Sequence, residues 1–209
     1  VRMDADTVSA ANTHEQILAR FRKENLPVLL GTQMVAKGLD LENVTLVGAL
    51  DADLSLYVDS YRAAETTFNM LTQVVGRAGR GNRPGRAMIQ TMTPDHAVIT
   101  LAAKQDYDGF YDLELPLRQA KGCPPFLNLY TITFTGQEEG RVMQCAAAFR
   151  DSLSAALVPW GGAQVFGPAP AAVAKINYQF RYRLTLRSAG GKALRQQLGA
   201  LLRDFARNR

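Results

Sequence analysis

The sequence predicts two folded parts, an α/β domain with a mostly parallel sheet and then a smaller α+β domain. Three observations predict this. Short apolar runs at residues 27–30 and 44–50 alternate with apolar residues at helical spacing, the pattern of buried parallel strands joined by helices. Strict apolar–polar alternation at residues 130–135 and 180–187 marks half-buried strands in the second half. Between the halves, Gly122-Cys123-Pro124-Pro125 is a strong stop for any regular element.

The elements follow in order. Val1-Arg2-Met3 reads as the tail of a strand. Thr13-His14-Glu15-Gln16 has the form of a capping box, with Ile17, Leu18 and Phe21 on one helical face behind it. Pro27-Val28-Leu29-Leu30 and Val44–Leu50 read as buried strands. Ala64, Phe68, Leu71 and Val75 give the apolar stripe of a helix over 62–77. Residues 86–91 follow a Pro84-Gly85 turn and read as a strand. Residues 95–122 read as a helical connector with a break near Pro116. The first domain is placed at 1–94 and the second at 123–209. In the second, a strand at 130–135 precedes a helix marked by Val142, Cys145, Phe149 and Leu153. A strand near Gln164–Phe166 and one at Phe180–Arg187 follow. Leu194, Leu198, Leu201, Leu202 and Phe205 mark a last helix. That order, β-α-β-β-α, is the split βαβ (ferredoxin-like) pattern without its final strand.

Charge separates the halves further. The chain carries a formal net charge of +5. Residues 1–115 hold 11 Lys and Arg against 15 Asp and Glu, whereas residues 116–209 hold 13 against 4. The second half therefore either meets a polyanion or simply has a basic, soluble surface. No apolar run approaches the length that spans a bilayer. Cys123 and Cys145 form no C-x-x-C pair, so this segment alone builds no zinc site, and both read as small core residues. The charged start, Val1-Arg2-Met3-Asp4, reads as the middle of a longer protein.

The sharpest motif is Gln73-Val74-Val75-Gly76-Arg77-Ala78-Gly79-Arg80 at a helix end. Arg77 and Arg80 can converge on one anion, because each guanidinium fork donates two hydrogen bonds to phosphate oxygens. Gly76 and Gly79 let the backbone turn beside a ligand. The competing reading is a basic helix end that complements its own dipole. Upstream, Gly31-Thr32-Gln33-Met34-Val35-Ala36-Lys37-Gly38-Leu39-Asp40 follows an apolar strand, where α/β sheets place ligands. Thr32 and Gln33 can contact a nucleic-acid phosphate, and Gly38 admits a nucleotide close to the backbone. An ordinary inter-strand loop explains the same residues. In the second half, Arg181, Arg183 and Arg187 share one strand face opposite Phe180, Tyr182, Leu184 and Leu186. Lys175, Asn177 and Tyr178 are placed in the loop before that strand. Basic residues beside aromatics suit a single strand or a junction, and a solvated sheet face is the alternative.

These motifs resemble the fifth and sixth conserved motifs of superfamily-two helicases. The order of Lys37–Val47, Leu50-Asp51-Ala52-Asp53, Tyr61–Phe68, Leu71–Arg80, Gly85–Thr91 and Cys123-Pro124-Pro125-Phe126 is similar to that of the primosomal protein N′ (PriA) family. Leu39-Asp40-Leu41 departs from versions of that family with His and aromatic residues there. The resemblance implies a RecA-like second helicase lobe followed by a fork-binding domain. It implies that Gln73, Arg77 and Arg80 face the γ-phosphate of ATP, with Arg80 as the finger. It places Gly38, Asp40 and Gly76 by the nucleotide, and Thr32, Gln33 and Lys37 toward the single-strand path. Asp51 and Asp53 either orient the arginines or cap a loop.

For the whole protein the resemblance implies three-prime to five-prime DNA unwinding with ATP and Mg2+ held mainly by another lobe, and zinc on upstream cysteines. The implied partners are forked and single-stranded DNA, other primosome proteins, single-strand DNA-binding protein and the machinery that loads the replicative helicase. The implied location is the bacterial cytoplasm, at the nucleoid, with no membrane contact. This chain has no G-x-x-x-x-G-K-[ST] loop and no Asp-Glu pair after a strand, so by itself it is expected to hydrolyse no ATP and to hold no metal or cofactor. Another superfamily-two translocase and a non-catalytic DNA-binding or partner-docking module are the alternatives.

Overall fold

The computed structural model describes residues 1–3, 13–32, 44–78 and 84–207, and groups the chain into two compact units, Val1–Asp112 and Leu113–Arg209.

In the first unit, β1 (Arg2–Met3) pairs in parallel with β2 (Leu30–Gly31), and helix α1 (Thr13–Lys23) lies between them in sequence. A second parallel pair joins β3 (Leu46–Ala49) to β4 (Arg86–Ile89). Helices α2 (Asp53–Leu56) and α3 (Ala63–Val75) make the crossover that a parallel pair requires. Then come α4 (Ala97–Lys104) and α5 (Tyr107–Ala120). The stripe on α3 buries Phe68 and Leu71 among Val98, Ile99 and Ala102 of α4 and Phe110 of α5. Phe68 and Phe110 stack with ring centroids 4.2 Å apart.

Four expectations change here. The run 27–30 is not a buried strand: only Leu30 extends into β2, and Val28 and Leu30 are 62% and 54% exposed. In β3, Leu46 is 56% exposed while Val47 is half-buried, so the strand has one covered face, toward α3. A short apolar run does not reveal whether one or both faces are covered. The described strands also form two separate parallel pairs rather than one continuous sheet. Lastly, the helical break falls at Gln105-Asp106, not at Pro116, which lies inside α5. Gln105 adopts a left-handed conformation (φ 56°) that ends α4, and the Asp106 carboxylate accepts from the backbone N–H of Gly109 at 2.9 Å to start α5.

The second unit contains β5 (Asn128–Gly136), α6 (Glu139–Ala156), a 3-10 turn (Val158–Trp160), β6 (Gln164–Ile176), β7 (Gln179–Ser188) and α7 (Lys192–Arg207). The sheet order is β5-β7-β6, with β7 antiparallel to both neighbours. β5 and β7 pair without interruption from Asn128↔Ser188 to Gly136↔Phe180. Strand β6 runs well past Phe166, where the sequence reading stopped. It carries Pro168 and Pro170, which an edge strand tolerates because its outer N–H groups need no partner. Its pairing with β7 shifts register twice, between Phe166 and Ala169 and between Pro170 and Lys175.

Helices α6 and α7 bury Phe149, Leu153, Leu194 and Leu198 against Ile132, Leu184 and Leu186 of the sheet. Phe149 meets Phe205 edge-on at 5.0 Å and Phe134 at 5.6 Å. Tyr130 and Trp160 are partly buried against this core; the Tyr130 hydroxyl donates to the Gly190 carbonyl at 3.1 Å and the Trp160 indole to Gln197. Cys123 is buried, Cys145 is half-buried, and both are free thiols.

Candidate functional site

The first candidate site is the C-terminal end of α3. Gln73 is exposed in its last turn, and Gly76 and Arg77 are half-buried just beyond. Gln73 and Arg77 stand four residues apart, on the same side of the helix end. Arg80 lies outside the described residues, as do Gln33, Lys37, Gly38 and Asp40. Thr32 is exposed directly after β2.

Backbone groups and one glutamine close much of the helix end. The N–H groups of Gly76, Arg77 and Ala78 donate to the carbonyls of Thr72, Val74 and Val75 at 2.9, 3.1 and 3.3 Å. Gln105, from the turn after α4, adds a bond from Nε2 to the Thr72 carbonyl at 3.3 Å. These bonds engage the Thr72, Val74 and Val75 carbonyls of the last turn. Gln105 also explains Gly76. The backbone there is right-handed (φ −69°, ψ −2°), which any residue adopts, but a Cβ would stand 3.2 Å from Gln105 Nε2. A Cβ at position 76 would press on the Gln105 amide by a few tenths of an ångström, so glycine eases the approach of Gln105, and the backbone angle itself does not call for it. Gln105 was not singled out from the sequence, since nothing local ties it to a helix 33 residues away.

Of the two tasks open to Asp53, loop capping is the one observed. The buried carboxylate accepts from Thr91 Oγ1 at 2.8 Å, Thr93 Oγ1 at 2.6 Å and the Met92 N–H at 2.7 Å. The Thr93 hydroxyl and the Met92 N–H hold its pKa below the usual aspartate value, against a lesser opposing effect of burial, and the Thr91 hydroxyl adds a smaller share. Asp53 thereby ties the start of α2 to the loop after β4. Asp51 takes a left-handed conformation (φ 52°), and its N–H donates to the Gln90 side chain at 2.6 Å.

The second candidate site is the face of β7 turned away from the helices. Arg181, Arg183 and Arg187 alternate with the buried Leu184 and Leu186, and each is half-buried. Their partners on β5 are Thr135, Thr133 and Leu129, so threonine hydroxyls and guanidinium groups share this face. Arg181 Nη1 reaches the Val173 carbonyl at 3.5 Å. The Arg187 guanidinium lies 4.7 Å above the Phe166 ring, and its Nε is buried without a hydrogen-bond partner. Phe166 was missed as a site residue because its partner in stacking belongs to another strand.

Lys175 does not lie in a loop. It belongs to β6, pairs with Phe180, and holds its ammonium 4.3 Å above the Phe180 ring. Cross-strand partners share a face, so Lys175 sits on the opposite side from the three arginines. Only Asn177 and Tyr178 form the turn. Two residues along β7 from Phe180, the Tyr182 hydroxyl donates to Glu139 Oε1 at 2.9 Å, and this bond raises the tyrosine pKa above its ordinary value. Among the described residues no three His, Cys, Asp or Glu side chains cluster as metal ligands, and no helix is long and apolar enough to cross a membrane.

Comparison with known proteins bears on both sites. The family model of the helicase conserved C-terminal domain matches residues 4–82, which include the end of α3, and that of the primosomal protein N C-terminal domain matches residues 119–209, which include the arginine face. Replication restart protein PriA of Bacillus subtilis is 38% identical over 207 residues, spanning 99% of this chain and 26% of the relative. The proteins of the same name from Synechocystis and Treponema pallidum are 40% and 35% identical over 190 and 204 residues, covering 90% and 98% of this chain but 22% and 31% of their own lengths. The chain thus spans about a quarter of the length of the relatives it matches. With a helicase C-terminal match over residues 4–82, a primosomal C-terminal match over 119–209 and these relatives along nearly the whole chain, the chain belongs to the PriA family of replication-restart proteins.

Proposed function

We propose that this chain supplies the second lobe of an ATP-dependent DNA helicase, together with the domain that grips the fork. Residues 1–94 form the RecA-like lobe with its mostly parallel sheet, 95–122 the connector and 123–209 the ferredoxin-like DNA-binding domain. The strand order β5-β7-β6, with β7 antiparallel to both neighbours, supports the last assignment. The observation that carries the motor reading is the end of α3. Its Thr72, Val74 and Val75 carbonyls are engaged by backbone N–H groups and Gln105, and Gln73 and Arg77 are set four residues apart beside them.

The fit to a nucleotide is chemical. The C-terminal end of a helix carries partial negative charge and repels a phosphate, so cationic side chains must supply the attraction there. Arg77 and Arg80 offer planar, permanently charged donors. Gln73 offers an amide. When bound, ATP supplies a γ-phosphate whose transfer to water releases the energy for movement. Arg80 neutralises charge on that group, Arg77 supports it, and Gln73 helps to orient it. Gly38 and Asp40 line the nucleotide side, and Thr32, Gln33 and Lys37 face single-stranded DNA. Mg2+ and the phosphate loop belong to another lobe, and zinc to cysteines elsewhere in the longer protein. Cys123 and Cys145, one buried and one half-buried, do not fit a zinc centre.

The longer protein unwinds stalled forks with three-prime to five-prime polarity. It then acts with primosome proteins, single-strand DNA-binding protein and the loader of the replicative helicase in the cytoplasm, at the nucleoid. Steady-state ATPase measurement on the 209-residue chain with forked DNA tests the division of labour. Background turnover is expected, and hydrolysis clearly above background would show that the chain contains its own phosphate cradle.

A further inference from the structure

The β6–β7 hairpin closes on a two-residue loop. Ile176 pairs with Gln179, and both Asn177 (φ 49°) and Tyr178 (φ 61°) are left-handed, the signature of a type I′ turn. Asparagine is at home at the first position, whereas the second favours glycine, because a bulky side chain there is strained. Tyr178 brings that strain and gains no packing in return, since it is 85% exposed. Neither the fold of the hairpin nor its core accounts for an aromatic ring at this tip.

The surroundings identify what the ring meets. From Gln164 to Ser188 the hairpin contains Lys175, Arg181, Arg183 and Arg187 and no acidic residue. Beside the tip, on the arginine face, a shallow depression of about 350 Å³ is lined by Thr135, Ile176, Asn177, Gln179 and Arg181. Its amide, hydroxyl and guanidinium groups suit a phosphate and the edge of a base. An exposed ring next to such a groove is the arrangement that stacks unpaired bases while cations follow the backbone. We infer that Tyr178 stacks on an unpaired base of DNA, at the tip of a hairpin whose arginine face holds the adjoining phosphates. This deepens, and rests on, the DNA-binding reading of the second unit.

The test uses the 209-residue chain and a forked DNA with a fluorescent aminopurine in its unpaired arm. The wild-type chain is expected to quench the probe, and Tyr178→Phe to retain quenching. Tyr178→Ala and Tyr178→Gly should lose it and bind about tenfold more weakly. Tyr178→Gly should melt no lower than wild type, because glycine relieves the turn, and this separates lost stacking from lost folding. If Tyr178→Gly binds and quenches like wild type, the inference is overturned and the ring is left to contact a protein. The triple variant Arg181→Ala, Arg183→Ala, Arg187→Ala distinguishes the two levels. Wild-type affinity in it would overturn the DNA-binding reading of the face, whereas lost affinity in it with unchanged Tyr178→Gly would overturn only the stacking tip.

Discussion

Gln105 reaches the helix that ends in the arginine motif: its Nε2 donates to the Thr72 carbonyl at 3.3 Å and would stand 3.2 Å from a Cβ at position 76. Gly76→Ala should therefore destabilise the chain by about 1 kcal/mol through crowding. In a Gln105→Ala background the same change should become neutral, or stabilising by about 0.5 kcal/mol, since the backbone at 76 suits alanine. A double-mutant cycle in urea reads the coupling. Additive effects would mean that Gln105 does not set the residue at 76.

Asp53 gives a pH signature. Its folded pKa lies below the ordinary aspartate value, so its contribution is fully present above that value. As pH falls past the ordinary value the contribution shrinks, and it is gone below the lowered folded pKa. Asp53→Asn turns an amide toward the Met92 N–H and should lower Tm at neutral pH. The gap to wild type should close as the solution is acidified through the carboxylate range, read by thermal melts across pH. A gap that stays constant would contradict the assignment.

Phe149 is fully buried between Phe134 and Phe205. Phe149→Ala should cost the second unit about 3–5 kcal/mol, measured by urea denaturation, because the surrounding helices cannot fill the cavity.

Each arginine on the β7 face should act as a phosphate contact. Removing Arg181 or Arg183 alone should weaken binding to forked DNA and reduce the slope of log affinity against log salt by about one. Fluorescence anisotropy at several salt concentrations measures both. An unchanged slope would mean that the residue meets no phosphate.

Much of the fold was legible where periodicity was strong. The alternation through Tyr130–Thr135 and Phe180–Arg187 marked β5 and β7, and the stripe through Phe68 and Leu71 marked α3. Strand β6 extends beyond the Gln164–Phe166 run through Pro168 and Pro170, residues that give no strand signal in the sequence but are tolerated at a sheet edge. Pro116 was taken for a break because proline removes a helical hydrogen bond, yet the chain breaks where Gln105 turns left-handed, which no proline or glycine announces. At the candidate sites, the arginine face was legible from alternation alone. The stacking of Arg187 on Phe166, the pairing of Lys175 with Phe180 and the reach of Gln105 to Thr72 all join separate elements, and single-strand or single-helix spacing carries no trace of them.

The motor assignment meets its most direct test in a longer protein that contains this chain, through steady-state ATP hydrolysis stimulated by forked DNA. Arg80→Ala should lower turnover by about a thousandfold or more while leaving DNA affinity unchanged. Turnover at the wild-type rate would contradict the role of Arg80 as the residue that meets the γ-phosphate.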